Sequence, residues 1–387
     1  MDTINSPSSP LAAERPRARD LGIAIGRLPA GPWNAITDVP GVRVGHSTLI
    51  AGDGPLAVGH GPVRTGVTVI LPRSGDIGRD PVFAGHHVLN GNGEMTGMAW
   101  VAESGLLTTP VALTNTHSVG VVRDALIAHA VARAGDAPAD AWSLPVVAET
   151  WDGFLSDING MHVRAEHVEQ ALAAAASGPV VEGCVGGGTG MICHGFKGGV
   201  GTSSRVVESG WTVGVLVQAN YGQRALLRVD GVPVGRLIGA DHIPLPGKTS
   251  LSGSTLSSGS GSIIAIVATD APLLPTQCRR LAQRATIGIA RAGGLGENSS
   301  GDLFLAFSTA NDGLGGAGGG DRSGVLTVRM LPNDALSALF EAVADATEEA
   351  IVNALCTATT TTGIDGRTAY ALQPDRLREV MGRFRPV

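Results

Sequence analysis

Residues Ser254–Asp270 read STLSSGSGSIIAIVATD. A run of small polar residues passes directly into Ile263-Ile264-Ala265-Ile266-Val267-Ala268-Thr269. The second half is apolar at every position over the length of a strand, which predicts a strand buried on both faces. The first half, from Thr249, has the composition of a flexible linker. Gly261-Ser262 is the junction. It reads either as a loop before a strand or as a site where the chain is cut and Ser262 becomes a new N-terminus.

Chemistry gives the second reading content. Serine is a weak nucleophile until a base takes its proton. An α-amine, with a pKa of about 7.7–8.0, can serve as that base when it belongs to the serine itself. The chain has no GxSxG elbow with a plausible triad, so the amine would have to come from self-cleavage. Ser262 Oγ attacks the Gly261 carbonyl, and water hydrolyses the resulting ester. Glycine at 261 leaves the carbonyl unobstructed and tolerates an unusual backbone. The strand behind Ser262 holds the hydroxyl still.

Working outward, the chain has 387 residues, 43% hydrophobic and 16% charged, enough for a sizeable core. Its formal net charge is −6 and no Lys/Arg cluster stands out, which argues against a nucleic-acid partner. No apolar run reaches membrane-spanning length. Residues 1–20, MDTINSPSSPLAAERPRARD, lack the apolar segment of a signal peptide and read as a disordered arm, leaving the cytoplasm as the expected compartment. Cys184, Cys193, Cys278 and Cys356 are widely spaced and form no CxxC pair, so reduced, mostly buried thiols are expected. With no ligand cluster in the sequence, neither metal nor organic cofactor is expected.

Further strands are expected at 67–71, 110–113, 211–217, 303–307 and 325–330. A helix is expected after Pro275, where Cys278, Leu281, Ala282, Ala285 and Ile289 share a stripe. A longer one is expected from Leu336 to Leu355, capped by Asn333 or Asp334, and a third over 121–132. Strands and helices mix without a βαβ rhythm, which predicts sheets layered with helices. The glycine runs Gly183–Gly195 and Gly313–Gly320 lack the GxxxxGK[ST] pattern and read as tight turns rather than phosphate loops.

Seven segments, in order, resemble one family. They are ITDVPGVRVGHSTL (36–49), HHVLNGNGEMTG (86–97), TNTHSVG (114–120), PVVAETWDGFLSDING (145–160), VQANYG (217–222), GSIIAIVATDAPLLPTQ (261–277) and NSSGDLFLAFSTAN (298–311). These resemble the DmpA-type aminopeptidases, peptidase family S58, which include L-aminopeptidase/D-esterase-amidases and β-peptidyl aminopeptidases. The resemblance covers nearly the whole chain after the arm. It implies an α+β fold, an αββα sandwich of the N-terminal-nucleophile-hydrolase type. It also implies a single domain over 21–387, self-cleaved into 21–261 and 262–387, and homo-oligomers, tetramers or octamers of the cut pairs.

The implied roles fall on particular residues. Gly261-Ser262 matches the cleavage site and Ser262 the nucleophile. Ser300 and Asp302 match a hydroxyl and a carboxylate beside it, able to relay a proton and to stabilise the ammonium of Ser262. Asn220 matches an oxyanion-hole amide. Glu149 matches a carboxylate that pairs with the free amine of a small peptide, amide or ester substrate. Trp151 stands where close relatives carry tyrosine, and an indole N–H can donate but cannot relay a proton. Each has a plainer alternative: a turn before a strand for Ser300-Gly301-Asp302, a strand-end asparagine for Asn220, a surface glutamate for Glu149. His117 and Asn90–Glu94 read as shaping or supporting the pocket, and a core histidine is favoured over a catalytic one at 117. The activity implied is a self-processing serine aminopeptidase/amidase. An oligoamide hydrolase, an acyltransferase and an uncut scaffold protein are the alternatives.

Overall fold

The structure is a computed structural model that describes residues 15–134, 142–247, 261–315 and 324–384. Most of the expected linker before Gly261, residues 1–14 of the expected arm and residues 316–320 of the second glycine run lie outside the described residues.

In chain order, the strands of the two main sheets and of one short hairpin are β1 (Arg43–Ala51), β2 (Val63–Leu71), β3 (Val82–Gly91), β4 (Leu106–Leu107), β5 (Val111–Asn115), β6 (Val146–Thr150), β7 (Ile192–Cys193), β8 (Phe196–Lys197), β9 (Gly199–Val206), β10 (Thr212–Asn220), β11 (Ser262–Thr269) and β12 (Gly301–Ser308). One sheet has the order β1-β2-β5-β6 and the other β4-β3-β12-β11-β10-β9. The helices covering them are α1 (Val119–Arg133) and α2 (Ala165–Ala173) on the first sheet, α3 (Pro275–Arg291) and α4 (Leu336–Thr357) on the second.

Side-chain alternation along β11 explains the layering. Ile263, Ala265 and Val267 point to the core shared with α3 and α4. Ile264, Ile266 and Ala268 point to a second core, against Ile70, Val111, Leu113, Val146 and Ala148 of the other sheet. A third core packs Val122, Leu126 and Val168 of α1 and α2 on Val67, Val69 and Val147. Helix, sheet, sheet, helix is therefore the order of layers, the αββα sandwich. A continuous apolar strand is what a position between two cores demands. Each of the three isoleucines is fully buried, worth about 1.5–3 kcal/mol apiece, so β11 is firmly seated.

Between the sheets runs the turn Gly186–Gly188. A Cβ at Gly187 would lie 2.1 Å from Gln218 Oε1 and 2.8 Å from the Leu113 carbonyl, so the two sheets close on bare backbone there. This run is a spacer-free packing element, in keeping with the turn reading.

The helix after Pro275 begins at Pro275 itself, with proline in the first turn. The helix from Leu336 is preceded by a 3-10 turn, Asn333–Ala335. Neither Asn333 nor Asp334 caps it; the Asn333 carbonyl oxygen of the side chain accepts instead from Gln277 and Arg280 of α3. Val325–Met330 is not a strand. Its side chains are exposed, and its Arg329 backbone bonds in both directions to the Asn311 side chain rather than to a neighbouring strand.

Residues 15–20 of the expected disordered arm are ordered against the core. Arg15 donates to the carbonyls of Cys356 and Leu372, Arg17 pairs with the buried Glu182 at 2.5 Å, and Arg19 pairs with Glu349 at 2.8 Å. Ala18 is fully buried. Arginine-rich composition reads as solvated, but here each guanidinium has a partner waiting in the core. Among the described residues, no helix is long and apolar enough to cross a membrane.

Glu349 anchors this end. Its carboxylate takes Arg205 at 2.6 Å, with both side chains wholly buried, as well as Arg19 and the Asn34 amide. Removing it strands the Arg205 charge in the core. Glu349→Ala should cost about 3–5 kcal/mol of stability. Urea unfolding of the variant checks this; a loss under about 1 kcal/mol would show that the pair is replaced by solvent.

Candidate active site

Topology assembles the site. β11 pairs antiparallel with β10, setting Ser262 opposite Asn220, and parallel with β12, setting Ile263 opposite Asp302. The start of β11, the start of β12 and the end of β10 therefore share one end of the sheet. β3 runs antiparallel to β12 and ends there too, with Asn90 opposite Asp302. The segment after β3 crosses to the other sheet, where Met95 bridges Ala148 of β6, next to Glu149. Ser262, Ser300, Asp302, Asn220 and Glu149 are all buried there.

Ser262 Oγ accepts a hydrogen bond from the Gly301 N–H at 3.0 Å. Ser300 Oγ donates to Asp302 Oδ1 at 2.5 Å. The three residues 300–302 thus divide their work: a backbone donor for the Ser262 hydroxyl, flanked by a hydroxyl and its carboxylate. Gly301 cannot be replaced without strain, because a Cβ would fall 2.5 Å from the Asn92 carbonyl. Sequence reasoning singled out 300 and 302 and missed 301, since a backbone N–H leaves no mark on residue type.

Gly261 is held just as tightly. Its φ is +153° and a Cβ would lie 1.9 Å from the Asn220 carbonyl. The glycine at the junction is thus demanded by sterics as well as by access to its carbonyl.

Asn220 is oriented from both ends of its amide. Its Oδ1 accepts from the Ile192 N–H at 2.8 Å, and its Nδ2 donates to the Trp151 carbonyl at 3.0 Å. One N–H remains for another acceptor. Trp151 thus meets the site through its backbone. Its indole lies over Gly153 and is 42% exposed.

Glu149 is 3% exposed, not the surface glutamate of the plainer alternative. Oε1 accepts from the Glu94 N–H at 3.0 Å and Oε2 from the Thr116 hydroxyl. Burial raises its pKa, and these two bonds only partly oppose that. Gly93 separates Glu149 from Gly301: a Cβ there would touch both. His117 is exposed rather than a core residue; its neighbour Thr116 makes the contact. Asn90 donates to the Glu297 carbonyl and Asn92 to the Ser299 carbonyl, so 90–94 supports the loop that delivers Ser300.

Asp302 is pushed up to about 6 by burial, against the lowering effect of Ser300 and the Ile263 backbone. Fully buried Asp152, directly after Trp151, is raised to about 7 for the same reason, though Thr65 and Asn115 bond it. Sequence reasoning did not single out Asp152, one aspartate in a loop beside Trp151, Phe154 and Leu155.

Geometry of this kind, a buried serine at a strand start with an oriented amide and a hydroxyl–carboxylate pair, suits acyl transfer. Residues 34–369 match peptidase family S58. The chain belongs to that family.

The chain is 52% identical to beta-peptidyl aminopeptidase BapA of Sphingosinicella microcystinivorans over 380 residues, 97% of this chain and 94% of the relative. Among solved structures, a Burkholderia sp. beta-aminopeptidase superposes with a TM-score of 0.85 at 54% identity, covering 95% of this chain and 98% of the other. The L-aminopeptidase D-Ala-esterase/amidase of Ochrobactrum anthropi, described as a prototype for the serine aminopeptidases and a variant of the Ntn hydrolase fold, gives 0.84 at 44% identity, with 96% and 99% covered. This S58 peptidase is a serine aminopeptidase of the N-terminal-nucleophile type.

Asp302 supplies a pH test of the site. In the uncut chain burial pushes its carboxyl up to about 6, and an ammonium on Ser262 would lower it from there. If Asp302 offsets that ammonium, kcat/KM should rise with pH along an acid limb at or below about pH 6, and Asp302→Asn should lose this limb while its remaining activity falls. The same limb in the variant, or a wild-type profile with no acid limb, would assign the titration elsewhere.

Proposed function

We propose that this peptidase cuts its own chain between Gly261 and Ser262 and then removes N-terminal β-amino residues from small peptides and amides. The observation that carries this reading is Ser262: buried, first in a strand locked between two cores, and preceded by a glycine that has no room for a side chain.

In the uncut chain, Ser262 Oγ attacks the Gly261 carbonyl. The peptide nitrogen leaves as the Ser262 amine, and the chain is briefly held as an ester. Water hydrolyses the ester to a Gly261 carboxylate and a free Ser262 hydroxyl. The new amine then takes the Oγ proton, directly or through Ser300, as Oγ attacks a substrate carbonyl. Asn220 Nδ2–H offers its unused donor to the oxyanion, an interaction worth about 3–4 kcal/mol in comparable sites. Asp302, through Ser300, stabilises the ammonium. Collapse expels the nitrogen of the scissile amide as an amine, protonated by the Ser262 ammonium. A water then gives its proton to the Ser262 amine as it attacks the ester carbonyl and releases the acyl group, and the Ser262 hydroxyl is restored.

Glu149 is the residue we assign to the substrate ammonium. Its burial disfavours the lone carboxylate, so a cation beside it restores the charged form, and each oxygen has a lone pair to spare. The β-amino preference is supported by the names of two relatives above 50% identity. We carry forward a cytoplasmic location, in keeping with four free cysteines, and an oligomer of cut pairs.

A panel of p-nitroanilides tests the specificity. β-Alanyl and β-homo-aminoacyl anilides should turn over faster than their α counterparts. N-acetylation should lower kcat/KM by orders of magnitude, because it leaves Glu149 without its cation. Glu149→Gln should lose most activity on free amines. Equal rates on acetylated and free substrates would reject the amine-binding role and favour a general amidase.

A further inference from the structure

Lys197, at the end of β8, is wholly buried, yet none of its contacts is a carboxylate ion pair among the described residues. Its Nζ lies 2.8 Å from the Met191 carbonyl, 2.9 Å from that of Gly198 and 3.4 Å from that of Gly188. Three carbonyls match the three N–H donors of an ammonium; a neutral amine has only two. Burial lowers its pKa, and the neighbouring Cys184 opposes this.

The Met191 carbonyl belongs to the same peptide group as the Ile192 N–H. That N–H donates to Asn220 Oδ1 at 2.8 Å. Lys197 and Asn220 therefore sit at opposite ends of one peptide plane. A cation on the carbonyl oxygen holds the plane and withdraws density from it, which strengthens the N–H as a donor. The Asn220 amide is then fixed, Oδ1 toward Ile192 and Nδ2 toward the Trp151 carbonyl, on the residue that pairs across the sheet with Ser262. If the side-chain amide flipped, its NH2 would face the Ile192 N–H and its oxygen would face the Trp151 carbonyl.

We propose that Lys197 is a positioning residue: through the 191–192 peptide it holds Asn220 with one N–H aimed at the developing oxyanion. This rests on the reading of Asn220 as the oxyanion donor. Lys197 touches no reacting atom. It acts by removing the freedom of the amide that does, so its effect belongs in kcat rather than in KM.

A double-mutant cycle separates this role from a purely structural one. Lys197→Met keeps the length and removes the charge; Lys197→Gln keeps amide donors for the carbonyls and decides the matter if the methionine variant does not fold. Each is combined with Asn220→Ala. kcat and KM are measured on a β-alanyl anilide and normalised to the fraction of cut chain found by mass spectrometry, with thermal unfolding as the check on folding. Asn220→Ala should lower kcat about 100- to 1,000-fold. Lys197→Met should lower it about tenfold with KM within about twofold, and should have no further effect once Asn220 is alanine. Losses that multiply in the double variant would make Lys197 a structural residue and overturn the proposal. Wild-type kcat in Lys197→Met with a large loss in Asn220→Ala would overturn the proposal alone. Wild-type kcat in Asn220→Ala would overturn the oxyanion reading and the proposal with it.

Discussion

Everything at the site depends on where β11 begins. The strand has a core on each side and a strand partner on each edge, antiparallel β10 and parallel β12. It cannot shift by one residue without moving Ile264 and Ile266 out of one core and into the other. That constraint sets Ser262 at the sheet end within the reach of Asn220 and the 300–302 turn. Ser262, at the start of such a strand, is held by an element buried at every position.

Polar chemistry in so dry a place has to be supplied at close quarters. Much of it comes from the backbone: Gly301 N–H to Ser262, Glu94 N–H to Glu149, Ile192 N–H to Asn220. Chain segments crowd this closely around the site only where side chains are absent, which is why glycines stand at 93, 261 and 301. The same dryness raises the pKa of Asp302, Asp152 and Glu149 and leaves each one more responsive to a nearby cation. Two such cations, the Ser262 ammonium and the substrate's, are the ones the proposed reaction brings.

How much of this was legible in the sequence varies with the physics of each element. β11 and α3 were plain, because an unbroken apolar run and a 3.6-residue stripe each have one economical explanation. β9, Gly199–Val206, was not. Its Thr202, Ser203, Ser204 and Arg205 are buried, compensated by Asn34, Asp38 and Glu349 from distant segments. No local pattern announces a polar strand whose partners lie elsewhere in the chain. Val325–Met330 failed in the opposite sense, a strand-like run that joins no sheet among the described residues. Ser262 stood out at its linker-to-strand junction, whereas Asn220 and Glu149 were singled out only through resemblance to a family, since they lie far from it in sequence. The Gly301 donor and the Lys197–Met191–Ile192–Asn220 chain were not legible at all, because they run through main-chain atoms.

The claim on which the account turns is that Ser262 becomes an N-terminus. The intact mass of the purified protein, beside that of Ser262→Ala, tests it most directly. The account predicts two chains in the wild type, Met1–Gly261 and Ser262–Val387, co-purifying under reducing conditions, and one uncut, inactive chain in the variant. An active wild type that remains a single chain, a second chain beginning anywhere but Ser262, or turnover by Ser262→Ala would contradict it.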